Sequence, residues 1–140
     1  MLVHRVYRLI LPICCLLLLS LITGCEKLKQ ATISYGDGSG NSYVITPEPR
    51  LEYLPIEPAM SSSGSYDGGE PVNRPLSAAE HDQILAVMRA GLENRAVHIT
   101  DRVKMSGQIR VQHGDGNLAV VLKPGCAEQQ AIETLLKSLR

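Results

Sequence analysis

The chain contains no tryptophan and no phenylalanine, and its only aromatic residues are five tyrosines. A core must therefore be built mainly from Leu, Ile, Val, Ala and Met. Beyond Tyr7 near the start, the flat platforms on which sugars and nucleobases stack are limited to Tyr35, Tyr43, Tyr53 and Tyr66. An excess of either charge is absent as well, because 14 basic residues balance 14 acidic ones over 140 positions. Gripping nucleic acid through a broad surface takes many unbalanced Lys and Arg facing phosphate, so the composition argues against that class of partner. Cysteine is scarce, with four in all, and no two histidines stand at a metal-binding spacing such as i, i+4. Length allows one ordinary domain.

What the chain does have is concentrated at its start. Residues 1–8 carry Arg5 and Arg8 and no acid, and in the run 9–22 only Pro12 and Ser20 fall outside the apolar set. A spanning helix needs about 20 apolar residues, so this run suits the core of a signal peptide better than an anchor. It ends in Leu21-Ile22-Thr23-Gly24-Cys25.

That ending resembles the lipobox of bacterial lipoprotein precursors, an aliphatic residue followed by a small one, Gly or Ala, and Cys. The resemblance covers the first 25 residues of 140. It implies that residues 1–24 are a signal peptide cut between Gly24 and Cys25. It also implies that the Cys25 thiol carries diacylglycerol and that its new amino group carries an acyl chain such as palmitate. No other cofactor is implied. Two or three chains hold durably where one holds weakly, since each buried methylene contributes about 0.8 kcal/mol. The protein is then expected in the cell envelope, anchored to a membrane. By analogy with Gram-negative lipoproteins, Glu26 in place of Asp after the lipidated Cys favours the outer membrane over the inner or plasma membrane. On the residues alone, an ordinary secretory signal or an uncleaved anchor with an incidental Cys is the other reading.

Cleavage changes the bookkeeping. Loss of Arg5 and Arg8 leaves 12 basic against 14 acidic residues, a net charge of −2. Cys14 and Cys15 depart, Cys25 is blocked, and Cys126 is the one free thiol, so an intramolecular disulfide is excluded.

Along the rest of the chain, residues 25–30 read as a lipidated tether. Residues 31–56 read as a β-hairpin followed by a Pro-rich segment, with β-prone runs 32–35 and 43–46 around a turn rich in Gly, Asp and Asn. Prolines 47, 49, 55 and 58 forbid a helix and discourage central-strand pairing, leaving 51–54 as a candidate edge strand. Residues 57–75 are dominated by Ser, Gly and Pro and read as a linker or a long loop. The portion 76–140 reads helix, hairpin, helix. Ser77 and Glu80 form a capping box for a helix from 78 to about 95 that carries Leu85, Met88 and Leu92 on one stripe. Strands near 108–112 and 118–123 flank a Gly-Asp-Gly turn, and a second amphipathic helix spans 127–139. The expected fold is α+β, a small domain of two β-hairpins with two packed helices.

Several groupings invite a chemical reading. Asp37, Ser39, Asn41 and Glu48 stand at positions 1, 3, 5 and 12 of an EF-hand-like calcium loop, but position 6 is Ser42 rather than Gly and the flanks are strands, so a hairpin turn is favoured. The serines in 61–65 lack the spaced glycines of a nucleophile elbow and read as a solvated loop. His81 sits at the border of an apolar stripe, and His81, His98 and His113 lack any close partner spacing, so a metal site would have to be assembled wholly by the fold. Arg102, Lys104 and Arg110 could form a small basic patch or be scattered solvated charge. Cys126, at a helix start, is a candidate reactive thiol or a small buried hydrophobe. No catalytic set emerges and no metal site is assigned. The leading expectation is a non-catalytic binding or structural protein of the envelope, whose partners are the membrane and another envelope protein. The alternatives are an envelope enzyme using the Ser/Gly-rich loop with His98 or His113, and a module for a small ligand or ion.

Overall fold

Alternation of buried and more exposed positions along residues 32–36, 42–46 and 50–54 gives a sheet with one dry face and one wet face. The computed structural model describes residues 26–140, so the signal peptide, Gly24 and Cys25 lie outside the described residues. Seven strands form a single antiparallel sheet. In chain order they are β1 (Thr32–Gly36), β2 (Ser42–Thr46), β3 (Arg50–Leu54), β4 (Val72–Pro75), β5 (His98–Ile99), β6 (Gly107–His113) and β7 (Gly116–Leu122), arranged β4-β3-β2-β1-β6-β7-β5. Helix α1 (Ala78–Glu93) and helix α2 (Ala127–Ser138) pack on one face.

The α+β class therefore holds, but the two expected hairpins are only part of a larger sheet. They join directly, β1 pairing with β6 so that Ser34 lies opposite Arg110. The prolines do not exclude 50–54 from the sheet's interior. Pro47 and Pro49 fall in the β2–β3 turn and Pro55 falls beyond β3, so all five residues between them pair with β2 on one side and the first four also pair with β4 on the other. The edge is instead β4, which ends in Pro75, a residue that cannot extend a ladder.

The covered face is built from Ile33, Tyr35, Tyr43, Ile45, Leu51, Tyr53, Ile109 and Leu122, all essentially inaccessible. Helix α1 contributes Ile84, Leu85 and Met88, and α2 contributes Ile132 and Leu136. Each such aliphatic side chain contributes about 1.5–3 kcal/mol of transfer free energy. In place of the missing Phe and Trp, three tyrosines pack in series, with ring centroids 6.5 Å apart for Tyr35–Tyr43 and 4.8 Å for Tyr43–Tyr53. Gly91 lets α1 approach closely, because a Cβ there would come within 2.9 Å of Ile109 Cδ1 and 3.3 Å of Ile132 Cδ1.

The capping box of α1 forms as expected. Glu80 N donates to Ser77 Oγ at 3.2 Å and Ser77 N donates to Glu80 Oε2 at 2.7 Å. These bonds and the Arg74 guanidinium, 2.6 Å from Oε1, hold the Glu80 carboxyl down at about 2. The helix stops at Asn94, two residues after the last apolar position of the stripe. One further expectation needs correction. Residues 26–29 are helical rather than a free tether, with Leu28 against the core and Lys29 Nζ 3.0 Å from Asp82. Of the two forms expected for residues 57–75, the long loop is the one found, ending in β4 and fastened to the sheet.

Candidate functional site

The fastening of the Ser/Gly-rich segment starts at the β1–β2 turn. Asp37 Oδ1 accepts from Ser39 N and Asn41 N, both at 2.9 Å, and Oδ2 accepts from Asn41 Nδ2 at 2.8 Å. Asn41 then reaches outward, its Nδ2 donating to Tyr66 Oη and its Oδ1 accepting from Ile56 N, each at 3.1 Å. Tyr53 Oη donates to Gly68 O at 2.6 Å. Asp37 and Asn41 are thus buried and fully engaged in shaping a turn. Glu48 lies exposed in the turn at the other end of β2, so the four candidate calcium ligands are not gathered.

The serines of the loop bond among themselves. Ser61 Oγ donates to Pro58 O, and Ser63 Oγ accepts from Ser65 and from Tyr66 N. No histidine or carboxylate is among their hydrogen-bond partners. His98 Nε2 donates to Gly91 O at 2.8 Å, and His113 is exposed at the β6–β7 turn. His81 is buried on α1, where desolvation lowers its pKa. Among the described residues, no group of three or more His, Cys, Asp or Glu could hold a metal ion. Cys126 occupies the N-cap of α2 without capping it through its side chain, half-buried against the core, as a small hydrophobe would be.

The buried tyrosines are tied down by a polar network along α2. Tyr35 Oη donates to Glu133 Oε1 at 3.1 Å, and Gln129 Nε2 donates to the same oxygen and to Met105 O, both at 2.9 Å. Burial and the Glu133 carboxylate push the Tyr35 hydroxyl far above the ordinary tyrosine range. Burial also pushes Tyr43 up to about 12. Tyr43 Oη is buried with no hydrogen-bond partner. Arg140 stacks its guanidinium 4.6 Å above the Tyr53 ring. Tyr35, Tyr43 and Tyr53 are themselves inaccessible and serve as a structural element.

Accessible polar groups converge on the opposite face. Following the strand register, one row across the sheet reads Ala119, Arg110, Ser34, Val44, Glu52, Asn73. Beside Arg110 lies a depression of about 210 Å³ lined by Ser34, Gly36, Asn41, Ser42, Arg102 and Gln108, among others. Arg102 comes from the loop before β6, and its Nη2 donates to Asp37 O at 3.0 Å. The guanidinium lies over Gly36, where even a Cβ would stand at ordinary contact distance, 3.4 Å from Nη2. The loop is itself clamped. Met105 adopts a left-handed φ of 66°, a conformation that costs non-glycine residues about 1–3 kcal/mol. Its carbonyl is held by Gln129, and its backbone packs so closely on Gly38 that a Cβ there would lie 2.7 Å from Met105 Cα.

Of the three basic residues singled out in the sequence, the fold brings Arg102 and Arg110 to one depression, whereas Lys104 is exposed and does not line it. Sequence reasoning missed Ser34, Ser42 and Gln108. Their signal was the wet-side position in each alternating strand, legible only once the β1–β6 pairing is known. Comparison with protein-family models and with curated protein sequences gives no match.

Proposed function

We propose that the chain is a lipid-anchored protein of the bacterial cell envelope, held to a membrane through acyl chains on Cys25. Its domain acts by binding or scaffolding another envelope component rather than by catalysis. The observation that carries this reading is the run of a basic start, a short apolar core and Leu21-Ile22-Thr23-Gly24-Cys25. The compact helical turn at 26–29 supports it, because it brings the folded body within a few residues of the anchoring position. The non-catalytic part is supported by the self-contained bonding of the loop serines and by the commitment of Asp37, Asn41 and His98 to structural bonds.

Mass spectrometry of the protein from native membranes tests the anchor. The expected result is an N-terminus at Cys25 bearing diacylglyceryl and N-acyl mass. An intact Met1 terminus or an unmodified Cys25 rejects it. Density fractionation of the envelope is expected to place the protein with the outer membrane, as Glu26 implies. Crosslinking in the intact envelope is expected to recover a protein partner. Turnover by the purified chain that disappears in Ser61→Ala or His98→Gln would overturn the non-catalytic reading.

A further inference from the structure

We propose that the open face of the sheet carries a binding site for a phosphate ester, with Arg102 and Arg110 as its two cationic walls. The inference deepens the binding role proposed above by naming a ligand class, and it does not depend on acylation of Cys25.

Three observations lead to it. First, neither arginine belongs to any of the ion pairs found among the described residues, such as Lys29–Asp82, Arg74–Glu80 and Lys137–Glu133, and the bond from Arg102 to Asp37 runs to a neutral carbonyl. In the cross-sheet row of Arg110 the first carboxylate is Glu52, three strands away, or about 14 Å at the usual strand spacing. At that distance, across water and salt, attraction to Glu52 is largely screened. Second, the Arg102 side chain is positioned before any ligand arrives. One arm of its fork is spent on Asp37 O, and its loop is clamped by Gln129 and Gly38. A guanidinium held in place gives up less rotamer freedom on binding, which favours affinity. Third, the donors lining the depression come from three adjacent strands and the loop before β6: two guanidiniums, the Ser34 and Ser42 hydroxyls and the Gln108 amide. Donors spread around a point suit a tetrahedral oxyanion better than a planar carboxylate, which one arginine satisfies in its own plane.

A second depression of about 350 Å³ adjoins the first and shares Ser34 and Arg110 with it. It runs over Ala119 and past the half-exposed Leu118, and its surface is mostly apolar. Arg110 therefore stands on the divide between a cationic hollow and an apolar one. That juxtaposition fits an oxyanion attached to carbon, and it favours an ester over inorganic phosphate.

The test uses the full chain in neutral maltoside micelles, with backbone amide shifts as the readout. In one arm the micelles are titrated with glycerol 3-phosphate, and in the other they are doped with phosphatidylglycerol. The expected result is saturable movement of the Ser34, Gly36 and Gln108 amides in at least one arm, at least tenfold weaker in R102Q and in R110Q and absent from the double variant. Both arginines are exposed, so the variants are expected to keep the parent melting temperature. Movement with glycerol 3-phosphate alone assigns a soluble ester as the source, whereas movement with the doped micelles alone assigns a lipid headgroup. Inorganic phosphate is expected to bind more weakly than glycerol 3-phosphate. Absence of movement in both arms, or movement unchanged in the double variant, overturns the proposal. An unmodified Cys25 in the same preparation would reject the anchor and leave this result untouched.

Discussion

The same strands present two faces that differ in almost every respect. On the covered face Tyr35, Tyr43, Tyr53 and Ile109 are buried to the last few per cent, and nearly every polar atom has a designated partner. On the open face Ser34, Ser42, Gln108 and Arg110 meet solvent, and the strands are tied mainly by the backbone ladder. One face thus specifies the fold. The other is energetically spare, so its side chains can answer to a ligand without disturbing the core.

Substitutions on each face test this division of labour. Ile109→Ala removes buried volume where α1 and α2 meet the sheet and is expected to cost about 3 kcal/mol, read by chemical denaturation. Tyr43→Phe deletes a buried hydroxyl that has no partner and is expected to stabilise by about 1 kcal/mol. A loss of stability would mean that the hydroxyl is satisfied after all. Acidification acts on the covered side in two windows. The pKa of His81 is lowered by burial, so the unfolded chain binds the proton more tightly and stability declines as pH falls below about 6.5. Glu80 is lowered to about 2 by Arg74 and the Ser77 cap, so its contribution is present above about 4.5 and is lost between there and about 2. Melting curves at stepped pH should show both declines, and His81→Gln should abolish only the upper one. On the open face, Arg110→Ser is expected to shift stability by under about 0.5 kcal/mol, and a larger loss would show that this face also holds the fold.

Local chemistry made part of this legible in the sequence. The capping box at Ser77 and Glu80, the helical stripe of Leu85 and Met88 and the Gly-Asp-Gly turns are signals contained within a few residues, and each formed. A strand at 51–54 is legible in the sequence, but its two-sided pairing is not. Proline exclusion acts on single amides, and here the prolines flank the paired residues instead of interrupting them. Strand β4 was hidden because Val72-Asn73-Arg74-Pro75 has little β preference of its own and is recruited by β3. For the candidate site, the residue types of Arg102 and Arg110 drew attention, but their convergence depends on the non-local β1–β6 pairing and on the Met105 backbone. No short window of sequence encodes either.

The bonds made by Asn41 and Tyr53 bear on more than the turn beside them. Gly68 N donates to Ile56 O at 3.2 Å, and both of these residues are pinned to the sheet, so the Ser/Gly-rich segment leaves and returns at nearly the same point. The two feet hold their positions whatever spans them. The span then behaves as an interchangeable handle. Doubling its length adds only about 0.6 kcal/mol of closure entropy, so a foreign epitope or a protease site could be carried there while the sheet, its core and its open face stay as they are.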